Sequence, residues 1–116
     1  MKVTLSNGHA ALKDICHLRL ARAYEKVILD AMNDEGKVTD FTGVDKAQFE
    51  LTLKLIESIT VGEVTVNGAD ITEDWILDNV GSKDWDSIED AAGTISGKWE
   101  TKADREKKRK QEKTAK

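Results

Sequence analysis

Three side chains of this sequence have the donor atoms that metal binding or nucleophilic catalysis requires: His9, Cys16 and His17. A zinc site needs three or four such ligands in a tetrahedral arrangement, and a cysteine nucleophile needs a nearby base and an oxyanion site. The sequence offers one cysteine and no second Cys/His pair. We therefore interpret Cys16 as a small buried residue and both histidines as surface or edge residues.

Carboxylates are dense between residues 70 and 90, where they could suggest a calcium site or a catalytic pair. They are Asp70, Glu73, Asp74, Asp78, Asp84, Asp86, Glu89 and Asp90. Their spacing does not match the alternating ligands, glycine and distal glutamate of a calcium-binding EF-hand loop. We interpret them as helix caps and a solvated acidic face, which could also dock a basic partner. No glycine-rich phosphate loop is present either, and we predict no enzyme activity, metal or cofactor.

The charges of the chain are unevenly distributed. The net charge of −4 over 116 residues combines an acidic body with a basic C-terminal segment. Residues 1–99 contain ten Lys/Arg and eighteen Asp/Glu, whereas residues 100–116 contain eight Lys/Arg and four Asp/Glu. We predict a single helical domain over 1–99, followed by a basic tail over 100–116 that is disordered or a frayed helix.

Apolar spacing predicts a mainly α fold. Helical periodicity runs over residues 10–32 and returns over 45–59, the second segment being the most buried. Asn67-Gly68 among β-branched residues predicts a minor hairpin near 63–71. Thr72 is a predicted N-cap, and Ser82 or Asp84 begins a last helix that ends near residue 99. The expected architecture is a small bundle of about four helices with a minor β-hairpin and a mobile charged tail.

The compartment follows from what the sequence lacks. It has no apolar run of about eighteen residues that would span a bilayer. Its first residues lack a continuous apolar segment typical of a secretion signal, and its single cysteine cannot form an internal disulfide. We predict a cytoplasmic protein that does not associate with membranes.

Three tryptophans, Trp75, Trp85 and Trp99, lie within a 25-residue stretch of a chain that has only six aromatic residues. Their simplest role is to build the core between the last two helices. Tryptophan is also enriched at binding hot spots. Trp99 lies where the apolar pattern ends, and it is the best candidate for an exposed anchor.

The basic tail contains Lys107, Lys108, Arg109 and Lys110 in one run. Such runs bind nucleic acid by releasing counterions. No aromatic residue is present to stack on bases, and four acidic residues dilute the charge. A solubilising or protein-facing tail is the favoured interpretation, with nucleic-acid contact through this run as the alternative.

A long helix and a polar link are followed by residues 55–60 (LIESIT), 75–78 (WILD) and 84–88 (DWDSI). This order of segments resembles the tail assembly chaperones of long-tailed bacteriophages. The resemblance covers roughly residues 45–99. It implies a small, acidic, helical protein of the host cytoplasm. Such a protein self-associates and coats the tape-measure protein before the tail tube polymerises.

A helical chaperone of this kind would bind a helix of its partner in an apolar groove. The candidate groove residues come from the second helix and the tryptophan-bearing segment: Leu51, Leu55, Trp75, Ile88 and Trp99. Two other functions stay open. One is a phage head–tail structural or nucleic-acid-binding protein that uses the basic tail, and the other is a small regulator of a host protein.

Overall fold

The computed structural model describes the backbone of residues 1–114 and the side chains of residues 1–102 and 104–109. The strands are β1 (Lys2–Leu5), β2 (Gly8–Leu12), β3 (Ile56–Val61) and β4 (Val64–Asn67). The helices are α1 (Leu18–Asp30), α2 (Phe41–Leu55), α3 (Glu73–Asn79), α4 (Ser82–Ser96) and α5 (Lys102–Thr114), with a 3₁₀ turn at Gly68–Asp70.

The four strands form one antiparallel sheet in the order β1-β2-β3-β4. Side chains alternate between its two faces, as the period of a strand requires. Leu5, Ala10 and Ile59 are buried on the inner face, whereas Thr4 and Thr65 on the other face are exposed. The inner face therefore packs against the helices, and the outer face is polar.

The prediction of a mainly α bundle with a minor hairpin was wrong. The protein has an α+β fold in which helices pack on one face of a four-stranded sheet. The sheet joins an N-terminal hairpin to a second hairpin that follows α2. Contacts between these distant segments stabilise the strands, and such contacts are not visible in the local spacing of apolar residues.

The first predicted helix began too early, because residues 8–12 form β2. This segment, Gly-His-Ala-Ala-Leu, has little intrinsic preference for a strand. It is extended because it pairs with β1 on one side and β3 on the other. The helical period that we predicted from residue 10 applies only from Leu18, where α1 begins.

The second predicted helix extended too far along the chain. α2 ends at Leu55, and Ile56 already has extended backbone angles (φ −76°, ψ 120°). The chain passes from helix to strand without a separate loop. The β-branched residues Ile56, Ile59 and Val61 favour the strand that follows.

The prediction of a hairpin near residues 63–71 was wrong, because Asn67-Gly68 does not form a turn between paired strands. β3 and β4 pair from Ser58↔Asn67 to Val61↔Val64, which leaves Gly62-Glu63 as a two-residue loop. Gly62 has φ +61° and Glu63 has a negative φ, the pattern of a type II′ turn. Asn67 instead ends β4, and Gly68 begins the 3₁₀ turn.

The predicted start of α3 agrees with the structure, and α4 begins at one of its two predicted starts but ends at Ser96 and not near residue 99. The Thr72 side chain accepts a hydrogen bond from the Trp75 backbone N–H at 3.2 Å, which caps α3 as expected. Glu73 and Asp74 lie in its first turn, where carboxylates suit the helix dipole. α4 begins at Ser82.

The core lies between the sheet and helices α1, α2 and α4. Its largest fully buried side chains come mainly from α2 and α4, and they are Leu51, Leu55, Ile59, Ile88 and Thr52. Each helix in the described residues is too short or too polar to cross a membrane.

The basic segment begins as a capped helix. The Asp104 backbone N–H donates to Thr101 Oγ1 at 3.3 Å, and the Thr101 backbone N–H donates to an Asp104 carboxylate oxygen at 3.2 Å. This reciprocal pair is a capping box. Thr101 is buried, so the start of α5 is attached to the body.

Residues 115–116 of the predicted tail lie outside the described residues, and the predicted domain boundary at residue 99 stays a prediction.

Gly8 generates a testable prediction about the sheet. A Cβ added at this position would lie 1.8 Å from the Thr60 carbonyl oxygen on β3. We expect Gly8→Ala to lower the free energy of unfolding by at least about 2 kcal/mol, because the backbones of β2 and β3 would have to separate. Urea denaturation followed by circular dichroism measures this loss.

Gly81→Ala is the matched control, because Gly81 has a negative φ and no heavy atom lies within 4 Å of the added Cβ. Its expected cost is below about 1 kcal/mol, since only the preference of the α4 N-cap changes. Equal losses for the two variants would contradict the close approach of β2 to β3.

Candidate protein-binding surface

The residues with metal-binding or nucleophilic side chains are dispersed. His9 lies in β2, whereas Cys16 and His17 lie in the connection before α1. Burial raises the pKa of the Cys16 thiol, which leaves less of the reactive thiolate. Within the described residues, no three His, Cys, Asp or Glu side chains are grouped so that they could hold a metal ion.

Several carboxylates of the acidic run hold the fold together. Asp84 accepts hydrogen bonds from the Ser6 backbone N–H at 3.0 Å and from the Ser6 hydroxyl at 2.8 Å. These bonds attach α4 to the β1–β2 turn. Asp90 accepts from the Lys102 backbone N–H at 2.9 Å, which attaches the start of α5 to α4. These two carboxylates are committed to internal contacts.

Glu89 of α4 is the carboxylate whose surroundings differ most from water. It accepts hydrogen bonds from Trp85 Nε1 at 2.7 Å and from the Gln48 side chain of α2. Burial raises the pKa of Glu89, and the neighbouring charges of Asp86 and Asp45 raise it further, whereas the two hydrogen bonds lower it. The carboxylate therefore connects α4 to α2, although burial of its negative charge is unfavourable.

Trp99 packs beside the Glu89 side of α4. Its Nε1 donates to the Glu89 backbone oxygen at 3.1 Å, and its ring centroid lies 5.5 Å from that of Tyr24 on α1. The ring lies over Gly93, where an added Cβ would come within 2.4 Å of Trp99 Nε1. Trp99 therefore packs the last residues of the body against α1 and α4.

The cleft between α4 and α5 has a volume of about 600 Å³ and a mixture of charges. Its acidic lining residues are Asp86, Glu89, Asp90 and Glu100, and its basic ones are Lys83, Lys102 and Arg105. Within the described lining there is no cysteine or histidine that could act as nucleophile or base. The opposite charges largely balance one another, so the cleft has no marked preference for an anion or a cation.

The five predicted partner-binding residues lie in different environments. Leu51, Leu55 and Ile88 are 2%, 0% and 0% exposed, so they belong to the core. A partner could contact them fully only if the core opened. Trp75 and Trp99 are half-buried and pack against the same core. Their role in binding a partner stays a prediction.

The basic run of the predicted tail lies on α5. Lys107, Lys108 and Arg109 are exposed, and Lys108 forms an ion pair with Glu100 at 3.2 Å. The side chain of Lys110 lies outside the described residues. The described cations of this run are thus accessible, and one of them is partly neutralised.

The exposed large hydrophobic side chains are concentrated on α1 and its flanking residues. Of the nine exposed large hydrophobic side chains in the described residues, five lie between residues 15 and 32. They are Ile15, Leu18, Val27, Leu29 and Met32. α1 buries only Tyr24 completely. In the sequence, the apolar residues of this segment cover more of the helix circumference than one core-facing stripe requires, and this width could have indicated the exposed side chains.

Ile15 and Val27 of this set line concave parts of the surface. A groove between α1 and α2, here named the α1–α2 groove, is lined by Lys13, Ile15, His17, Arg19, Leu20, Ala23, Lys54 and Leu55 and has a volume of about 360 Å³. An adjoining pocket of about 90 Å³ shares Leu20, Ala23 and Lys54 and continues to Val27. Two of the predicted residues, Leu55 in the groove and Leu51 in the adjoining pocket, form part of the lining.

Comparison of the chain with protein-family models, with curated proteins and with solved structures finds no match. Its function must be inferred from its own side chains and their placement. The described residues bring together no group of three His, Cys, Asp or Glu that could hold a metal ion. They do present an apolar groove on a helix that is only partly covered, and this is the feature best suited to contact another macromolecule.

The raised pKa of Glu89 generates a prediction about pH. Because the folded state holds this proton more tightly than the unfolded chain, the stabilising contribution of Glu89 is complete below its usual pKa of 4.5. The contribution is lost as the pH rises through the higher pKa of the folded state. Glu89→Gln keeps an oxygen that can accept from Trp85 and removes the titration.

We therefore expect the stability of the wild type relative to Glu89→Gln to fall as the pH rises from about 4 toward about 7.5. Urea denaturation of both proteins across this range measures the difference. Other carboxylates contribute equally to the two proteins and cancel. A difference that stays constant with pH would show that Glu89 does not titrate abnormally in the folded state.

Proposed function

We propose that the protein is a non-enzymatic assembly chaperone that binds another protein through the exposed apolar side chains of α1. The observation that carries this proposal is the concentration of exposed apolar residues on α1 and its flanks, five of nine between residues 15 and 32. Exposed apolar surface that the fold does not cover is typical of sites that bind proteins.

The resemblance of residues 55–60, 75–78 and 84–88 to phage tail assembly chaperones suggests which protein is bound. In the proposed role, the partner is the tape-measure protein, a long helical chain whose apolar stripe must be shielded until the tail tube covers it. An exposed apolar helix can provide that shield through the helix-in-groove mode of recognition. Self-association of the chaperone, which the resemblance also implies, is part of the same proposed role.

The acidic body supports this role physically. Residues 1–99 have eight more Asp/Glu than Lys/Arg. Mutual repulsion between copies of such a body keeps a coated chain soluble while its apolar stripe is covered. Charge of this kind also steers an encounter with a basic partner more than it tightens the complex.

The proposal predicts that the protein retains the tape-measure protein of the same phage genome during co-expression and purification. Ile15→Ser/Leu29→Ser should lower the retained amount about tenfold, because apolar anchors dominate such interfaces. The control Val64→Ser/Leu77→Ser removes side chains of similar exposure, 55% and 64% against 65% and 69%, from β4 and α3. It should retain the partner within about twofold.

Light scattering on the same three proteins completes the test. A chaperone that coats a long partner should form oligomers that persist at high salt, because apolar contacts are not screened. A monomeric wild type that retains no tape-measure protein would refute the proposed function. Equal retention by both double variants would refute the role of α1.

Nucleic-acid binding through α5 is a second candidate, favoured by the exposed Lys107 and Arg109. It predicts that double-stranded DNA retains the protein at low salt and releases it steeply as salt rises. Replacement of Lys107, Lys108 and Arg109 by Gln should abolish retention while leaving the buried Thr101 cap intact. Retention that is unchanged by this triple substitution would exclude α5 as the contact.

A further inference from the structure

The floor of the α1–α2 groove is apolar and long enough for a short helix. Ile15, Leu20, Ala23 and Leu55 line the main cavity, and the adjoining pocket extends the floor to Val27. Leu20 and Val27 are seven residues apart on α1, which corresponds to about 10 Å along the helix axis. This length matches about two turns of a bound helix with apolar residues at i, i+3, i+4 and i+7.

The rim of the same groove is basic. Lys13, Arg19 and Lys54 are exposed and line the main cavity, and no acidic residue lines it with them. The main cavity is thus lined by three of the ten Lys/Arg of residues 1–99 and by none of the eighteen Asp/Glu. Among the described residues, none of these three cations forms an ion pair with an acidic side chain.

This charge pattern indicates the chemistry of the occupant. A helix with an apolar stripe would cover the floor, and carboxylates flanking that stripe would meet the three unpaired cations. Glu50 lies beside the adjoining pocket, so the basic character is confined to the end near Ile15 and Lys54. The basic α5 helix of a second copy would be repelled, and a nucleic acid would leave the apolar floor uncovered because the groove lining has no Phe, Tyr or Trp to stack on bases.

We propose that the α1–α2 groove binds an amphipathic helix of a partner protein whose apolar stripe is flanked by Asp and Glu. This inference rests on the proposed function for the existence of a partner, and it adds the binding site and the charge of the bound segment. The carboxylates lie toward the end of the groove formed by Lys13, Arg19 and Lys54. The apolar stripe lies over Leu20, Ala23 and Val27.

Two synthetic helical peptides test the proposal on the full-length protein. They share Leu at i, i+3, i+4 and i+7 and differ only in having Glu or Lys at the flanking positions. Fluorescence anisotropy at low salt should show that the Glu-flanked peptide binds at least about tenfold more tightly than its Lys-flanked counterpart. This preference should shrink at high salt, because the rim charges are exposed and screened.

Charge reversal locates the site. Arg19→Glu/Lys54→Glu should weaken binding of the Glu-flanked peptide about tenfold and strengthen binding of the Lys-flanked peptide. The matched control, Arg22→Glu/Lys46→Glu, changes one Arg on α1 and one Lys on α2 to give the same net charge. Neither control residue lines the groove, and its effect should stay below about threefold.

Three outcomes would overturn the proposal: binding of neither peptide, equal binding of both, or equal effects of the two double variants. Loss of self-association in Arg19→Glu/Lys54→Glu alone would assign the groove to a second copy and also overturn it. If the wild type retains the tape-measure protein but binds neither peptide, the groove assignment fails and the proposed function stands. If the Glu-flanked peptide binds in the groove while the tape-measure protein is not retained, the proposed function fails and the groove assignment stands.

Discussion

The pairing of β2 with β3 is the contact on which the rest of the structure depends. It joins the N-terminal hairpin to the hairpin that follows α2, and it turns two marginal strand pairs into one sheet. Gly8 allows the two backbones to approach closely, because any Cβ would collide with the Thr60 carbonyl. Both ends of the α1–α2 segment are thereby fixed to adjacent strands, so this helical pair must lie against the sheet.

That constraint explains why α1 remains partly uncovered. α2 lies between its neighbours, with contacts to α1, α4 and β3, whereas α1 has α2 as its main helical neighbour. Trp99 and the Lys98–Glu25 ion pair attach the end of the body to one side of α1. Leu18, Val27 and Leu29 of α1 remain exposed. An amphipathic helix at the edge of a two-layer fold thus becomes the site with the most exposed apolar surface.

Some charged side chains stabilise the fold through hydrogen bonds, and others are exposed on the surface without a partner among the described residues. Asp84, Glu89 and Asp90 are bound to backbone or side-chain donors of other elements, so much of the acidic run is structural. The cations beside the α1–α2 groove have no such partners among the described residues.

The sequence by itself determined the local features that depend on neighbouring residues. These include the Thr72 cap of α3, the start of α4 within residues 82–84 and the acidic body, because caps and charge act over a few residues. Only the tertiary structure decided that residues 8–12 and 56–61 are strands, since their pairing partners lie far away in the chain. It also decided that Leu20 and Ala23 share a groove with Lys13, Arg19 and Lys54, because that placement requires α1 and α2 together.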